Sequence, residues 1–377
     1  MNKAVLITHK VFPLDSGDAL YNWGIIEHFS TVVDLCVYTL IEKEGYKYKD
    51  SSIKYYSDYN SRNYYSSKMY LDLVECISKN KIKLILVSHH LMYLYHRKLR
   101  KKFPEATIIY ISHNVEYLND KERYNCALRK KAWNEKIIYF PYSQIRVFRS
   151  WLIEKELLTK SNAYLSISKT DAEIHKKLYK SIAKCYYLKP LIKFPNTCRS
   201  KDRRLFKKKI MILGSMSWYP NVNGVVWFCK NVMNVLASEG YMLYIIGSNP
   251  DPAILQCKEE LRDNIIITGR VEKVDEYFNI CDISIIPLFE GTGAKIKLLE
   301  SMCRGILTVS TSYAAKDYDI SNEIGIADSG EEFLNQIHKL ENDLNYRLSI
   351  YNGISQYCEN YFCLSEDISK LLVNESK

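Results

Sequence analysis

Short runs of β-branched and aliphatic residues recur along the whole chain, each followed by a longer stretch with helical spacing. This rhythm restricts the fold more than any other feature. Residues 5–8, 32–39, 84–88, 108–112 and 164–167 are predicted strands of the first half, and residues 210–213, 242–246, 265–268, 283–287 and 307–310 those of the second. Strands that alternate with helices form a mainly parallel sheet covered on both faces. Ligands of such sheets sit beyond the carboxyl ends of the strands. The expected class is therefore α/β, with two Rossmann-like doubly wound domains facing across a cleft.

A chain of 377 residues has room for two domains of ordinary size. The stretch 189–208 loses periodicity, holds Pro190 and Pro195 and is rich in charge, which marks it as a linker. The expected boundaries are residues 1–188 for the first domain, 209–345 for the second, and 346–377 for a helical tail that packs back on the first. Charge divides at the same place. Residues 1–208 carry 39 Lys and Arg against 20 Asp and Glu, a net of +19, whereas residues 209–377 carry 14 against 23, a net of −9.

Basic clusters lie at Arg97-Lys98 with Arg100-Lys101-Lys102, at Arg129-Lys130-Lys131, and at Arg203-Arg204 with Lys207-Lys208-Lys209. They suit an anionic membrane surface, where each basic residue contributes about 1 kcal/mol, or else form a merely solvated face. No nucleic-acid-binding motif accompanies them, so nucleic acid is not an expected partner. No apolar run approaches the roughly 20 residues that cross a bilayer, and the run at 4–7 is too short for a signal-peptide core, so a cytoplasmic protein, peripheral at the inner membrane face, is expected. The 11 cysteines show no Cys-x-x-Cys spacing, which excludes a zinc ribbon and a disulfide framework.

Glycine turns follow several predicted strands. Gly17 precedes a helix after the first strand, Gly214-Ser215-Met216 follows the first strand of the second half, and Thr268-Gly269-Arg270-Val271 ends another, where backbone groups can approach a nucleobase. None has the Gly-x-Gly-x-x-Gly spacing of a dinucleotide fold, and no P-loop occurs. The densest turn is Glu290-Gly291-Thr292-Gly293-Ala294-Lys295-Ile296-Lys297, which leads into a helix carrying Glu300. A strand-to-helix turn presents N–H groups and the positive end of a helix dipole to an anion. Lys295 and Lys297 add charge, and Glu300 can accept bonds from vicinal hydroxyls; a nucleotide-sugar offers both a diphosphate and a diol. His113 ends a strand in Ser112-His113-Asn114-Val115-Glu116, a place for contact with a sugar hydroxyl or simply for a histidine satisfied at a strand end. His89-His90 give no metal pairing on strand alternation, and Asp317-Tyr318-Asp319 is a weak metal spelling in a loop.

Gly-Ser-Met-x-Trp-x-Pro-Asn at 214–221, Thr-Gly-Arg-Val at 268–271 and Gly-Thr-Gly-Ala-Lys-Ile-Lys-Leu-Leu-Glu-Ser-Met at 291–302 together resemble the group 1 glycosyltransferases of GT-B architecture. The second domain carries nearly all of the likeness. The resemblance implies retaining transfer from a nucleoside diphosphate sugar without an obligatory metal; together with the +19 first half, the donor motif points to a glycan or lipid-linked acceptor in surface polysaccharide assembly, with no cofactor expected. It places Gly291, Thr292, Gly293, Lys295 and Lys297 at the diphosphate, Glu300 at the ribose and His113 at the transferred sugar; Gly17, Gly214, Ser215, Arg270 and Val271 complete the expected donor site. Two departures stand out. Glu290 and Glu300 have nine residues between them, wider than in many relatives, which leaves the role of Glu290 open, and the turn after residue 213 offers Ser215, Ser217 and Asn221 where many relatives have a basic residue. An inert nucleotide-sugar-binding partner and a nucleotide-sugar epimerase are the alternative readings.

Overall fold

Two parallel sheets organise the chain, one in each of two units. The computed structural model describes residues 1–12, 16–40, 53–129, 131–180, 182–192, 194, 205–320, 322–361 and 364–376. The first unit comprises residues 1–192 together with 292–294 and 363–377; the second comprises residues 193–291 and 295–362. Most of the expected linker, including Arg203 and Arg204, lies outside the described residues.

In the first unit the elements run β1 (Lys3–Thr8), α1 (Gly17–Phe29), β2 (Asp34–Leu40), β3 (Ile53–Tyr56), α2 (Ser67–Asn80), β4 (Leu84–Ser88), α3 (Tyr93–Lys102), β5 (Thr107–Ser112), α4 (Glu116–Arg129), α5 (Trp133–Lys160), β6 (Ala163–Ser166), α6 (Lys169–Leu178) and β7 (Lys184–Tyr187). All seven strands are parallel, in the order β3-β2-β1-β4-β5-β6-β7. The central strands β1, β4 and β5 are almost wholly buried, as their unbroken aliphatic runs require when helices cover both faces. Serines start three of the helices: Ser16 accepts from Ala19 N–H (3.4 Å), Ser66 from Met69 N–H (3.0 Å) and Ser168 from Asp171 N–H (2.9 Å). Glu154, fully buried on α5, accepts from the Glu116 N–H (2.7 Å) and from Tyr179 Oη (2.5 Å), so it caps α4 and ties α5 to the body of the unit.

The second unit runs β8 (Lys209–Leu213), α7 (Tyr219–Phe228), a π-helical turn at Cys229–Met233, α8 (Asn234–Ser238), β9 (Met242–Ile246), α9 (Pro252–Leu261), β10 (Ile265–Gly269), α10 (Asp275–Ile280), β11 (Ile283–Ile286), α11 (Ile296–Arg304), β12 (Leu307–Ser310), α12 (Ser312–Ala315), β13 (Gly325–Ile326), α13 (Gly330–Asn342) and α14 (Leu344–Tyr361). Its six parallel strands lie in the order β10-β9-β8-β11-β12-β13. The last helix, α15 (Glu366–Glu375), groups with the first unit, where Thr107 Oγ1 donates to Glu375 at 2.7 Å.

All ten strands expected from the sequence are present, three with the expected ends and the others shifted by one or two residues. Three more appear: β3, β7 and β13. These lie at sheet edges, where half the surface faces solvent and an unbroken apolar run is not needed.

Close backbone packing sets where α7 begins relative to β11. A Cβ added to Gly224 would lie 2.2 Å from the Pro287 carbonyl oxygen. Gly224→Ala is therefore expected to cost about 1–3 kcal/mol and to lower the urea midpoint of the second unit; an unchanged midpoint would show that this contact yields freely.

Candidate functional site

In the second unit the carboxyl ends of β8 and β11 bring the glycine turns and the two lysines together. Gly214 leaves β8 with so little room that a Cβ there would lie 2.7 Å from Asn221 Nδ2 and 2.9 Å from Lys297 Nζ. Asn221, in the first turn of α7, donates its Nδ2 to the Ser215 carbonyl (2.8 Å) and accepts from the Lys297 ammonium on Oδ1. Neighbouring Gly247 is equally confined, since its Cβ would collide with the Gly214 carbonyl. Gly291 has φ +96° and lies against Pro220, and its carbonyl accepts from Lys295 Nζ (2.8 Å) and Tyr313 Oη (2.7 Å). Lys295 stands at the N-cap of α11 and Lys297 in its first turn, so both ammonium groups reinforce the positive end of that helix.

Burial controls the charge of this cluster. It pulls the Lys297 ammonium down to about 7, with the neighbouring Lys295 charge adding to the effect and Glu300 opposing it. Burial likewise pushes the Glu300 carboxyl up to about 7, against the pull of Lys297. Glu300 Oε1 also accepts from Arg304 Nε at 3.0 Å, one turn further along α11. Glu290 accepts from Asn223 Nδ2 at 2.6 Å. Arg270 is exposed beyond β10, and Val271 packs beside the cluster around Phe278. The sequence did not single out Arg304 or Tyr313; Asn221 was visible only as part of a motif, because a neutral amide gives no charge signal.

In the first unit, histidines and carboxylates converge at the ends of β1, β4 and β5. His113 is buried and uses both ring nitrogens: Nε2 meets Ser88 Oγ (2.8 Å) and Nδ1 meets Asp18 Oδ1 (3.3 Å). Ser88 Oγ also donates to Asn22 on α1 (2.7 Å). Gly17 opens α1 at an exposed position, and the next residue, Asp18, turns its carboxylate to His113 and His9. Burial alone would raise Asp18, but bonds from those two histidines hold it well below the usual carboxylate range. Burial lowers His89, helped by His9 and His90. Burial also opposes protonation of His90, yet Glu116 outweighs it and raises this imidazole.

His9, Asp18 and His89, and His89, His90 and Glu116, each bring ligand atoms within 4.8 Å of one another. Among the described residues these are the groups that could hold a metal ion. The imidazole-carboxylate donors suit a transition metal rather than magnesium. Strand alternation hid this grouping. His89 lies past the end of β4 with φ +77°, so the His89 and His90 rings lie only 4.4 Å apart.

Residues 292–294 group with the first unit, and there the Gly293 N–H (φ +77°) donates to Asp171 Oδ2 at 2.8 Å. In this structure that N–H is thus engaged by the Asp171 carboxyl group.

Lys297 is held at a cost to the fold. Its depressed value means that the unfolded chain binds the extra proton between about pH 7 and the ordinary 10.5, so stability from this group rises with pH across that window. Lys297→Met is expected to raise the thermal midpoint at neutral pH by about 2–4 °C, with the gain shrinking as pH approaches 10.5, the ordinary lysine value. A lower midpoint at every pH would show that the ammonium stabilises the fold instead.

Residues 207–343 match the family described as glycosyl transferases group 1. Among solved structures, the chain is similar to sucrose-phosphate synthase from Thermosynechococcus elongatus (TM-score 0.70, 12% identity, covering 100% of this chain and 98% of that one). It is also similar to WaaG, a glycosyltransferase involved in lipopolysaccharide biosynthesis (0.66, 14%, 98% and 99%), and to Anabaena HepE solved with UDP and glucose (0.65, 9%, 100% and 98%). No curated protein matches by sequence. Within a chain of GT-B fold, residues 207–343 thus match the group 1 glycosyl transferase family.

Proposed function

We propose that this protein transfers a sugar, of hexosyl type, from a nucleoside diphosphate sugar to a glycan or lipid-linked acceptor, with retention of anomeric configuration, in the assembly of a surface polysaccharide. The observation that carries the reading is the Lys297 ammonium, partly buried against Gly214 and bonded to a neutral amide. A partly desolvated cation of this kind gains most from a ligand that brings its own negative charge.

In this reading the diphosphate lies against Gly291, Thr292, Gly293, Gly214 and Ser215, with Lys295 and Lys297 beside it. Departure of the diphosphate builds negative charge, and fixed N–H groups and ammonium ions stabilise it; loss of one such donor costs about 2.7–4 kcal/mol of barrier in other enzymes. Lys297 takes up a proton as the anion arrives, so donor affinity falls as pH rises through about 7. Glu300 accepts bonds from the ribose diol, Arg270 and Val271 border the nucleobase, and Gly17 lets the donor approach the start of α1. His113, held by Ser88 and Asp18, faces the transferred sugar in this reading. The scheme asks for no cofactor. The structural neighbour HepE, solved with UDP-glucose, supports the donor class.

A second reading, a nucleotide-sugar-binding partner without turnover, is favoured by the bond that ties Glu290 to Asn223. It predicts affinity without transfer.

Calorimetric titration with nucleoside diphosphates and their sugars, paired with transfer assays on membrane lipid extracts, separates the two. Glu300→Ala is expected to weaken nucleotide binding by about tenfold or more, through loss of a bond to a charged acceptor, and to abolish the preference for ribo- over 2′-deoxynucleotides. Unchanged affinity would remove Glu300 from the site, and no binding of any nucleotide would end both readings.

A further inference from the structure

Helix α5 presents an apolar stripe outward, away from the unit's own core. Its buried side is formed by Ser143, Val147, Glu154, Leu157 and Leu158. On the opposite side, residues 137, 141, 145, 148 and 152 follow one another at spacings of four, four, three and four, which places Ile137, Pro141, Ile145, Phe148 and Leu152 on one line. Ile138 (78% exposed) and Tyr142 widen it, Ile145 is 68% exposed, and Trp133 (78%) and Phe140 are exposed on the adjoining face near the start of the helix. Eight of the 17 large hydrophobic side chains exposed among the described residues belong to this one helix, so the patch is not the usual scatter of surface apolar groups.

We propose that this face of α5 is the element that seats the protein on an anionic lipid bilayer, lying in the headgroup region with its apolar side chains inserted. Charge selects that occupant. Between residues 129 and 155 the bases are Arg129, Lys130, Lys131, Lys136, Arg146, Arg149 and Lys155, against Glu135 and the buried Glu154. Arg149 and Lys155 flank the stripe, both exposed. Aromatic and aliphatic residues on one face with cations at its margins are the composition of a helix that lies in a membrane interface. A second copy of the chain would instead bring these cations against their own counterparts. No helix among the described residues is long and apolar enough to span a bilayer, so α5 lies on the membrane rather than through it.

The clusters first expected to meet the membrane are partly committed elsewhere. Arg97 pairs with Glu156, Arg100 donates to the carbonyls of Pro104, Ala106 and Lys160, and Lys208 pairs with Glu341. The proposal deepens the lipid-linked acceptor reading without depending on it, because vesicle binding needs no nucleotide.

The test is co-sedimentation of the full chain with vesicles of equal parts phosphatidylcholine and phosphatidylglycerol, and with phosphatidylcholine alone. Binding to the mixed vesicles is expected, and an Ile138→Glu, Ile145→Glu, Phe148→Glu variant should lose it by about tenfold or more, with its far-ultraviolet dichroism and nucleotide affinity unchanged. Arg149→Ala with Lys155→Ala should weaken the preference for the anionic mixture. Should the triple variant misfold, the emission of Trp133, isolated by comparison with Trp133→Phe, is expected to shift to shorter wavelength when mixed vesicles are added. Absence of binding by the parent, undiminished binding by a folded triple variant, or no shift in Trp133 emission would overturn the proposal. So would a parent dimer that the triple variant dissociates while vesicles bind neither, which would make a second copy the occupant.

Discussion

A half-buried ammonium bonded to a neutral amide is the constraint around which the second unit is arranged. Lys297 reaches that position because three independent features converge on it. Gly214 has no side chain to exclude its ammonium, Asn221 offers an oxygen, and the start of α11 fixes the backbone from which it projects. Enlarging Gly214 or moving α7 would block the ammonium or remove its acceptor. The glycine contacts at Gly224, Gly247 and Gly291 are the means by which two helices and three strand ends come close enough for this to happen. Such an arrangement is poor engineering for stability and good engineering for attracting an anion.

The first unit solves a different electrostatic problem with the same kind of sheet. Its strand ends carry imidazoles and carboxylates, groups whose charges compensate one another internally. His113 is locked between Ser88 and Asp18, and His90 is drawn toward Glu116. One unit thus gathers ammonium groups at its strand ends, and the other a nearly self-balanced polar lining. The formal charges of the two halves run the opposite way, so gross composition says little about the local field at a site.

Much of the architecture was legible in the sequence because buried parallel strands need unbroken aliphatic runs. The edge strands β3 and β7 were not, since Ile53-Lys54-Tyr55-Tyr56 and Lys184-Cys185-Tyr186-Tyr187 lack such a run. Lys295, Lys297 and Glu300 stood out as charged residues near a glycine turn, whereas their controlling neighbours Asn221, Tyr313 and Arg304 come from segments that only the fold brings near. The His89 and His90 pairing was hidden because alternation holds within a strand and fails just beyond it. The outward stripe of α5 was unreadable for the converse reason: helical spacing of apolar residues ordinarily marks the side that faces a core, and sequence does not say which side that is.

Glu154 gives that helix a mechanical property. Anchored by the Glu116 amide, Tyr179 and His175, it clamps α5 near its C-terminal end, leaving about 30 Å of rod from there to Trp133. Arg146 on Tyr124, Ser150 on Asp120 and the buried Ser143 and Val147 hold its middle against α4 as well, so the helix transmits tilt and torque where a flexible tether would absorb them. Load applied along its outer side would therefore be delivered to the first turn of α4, beside Asn114 and the imidazole network, setting the pitch of the whole unit like a keel.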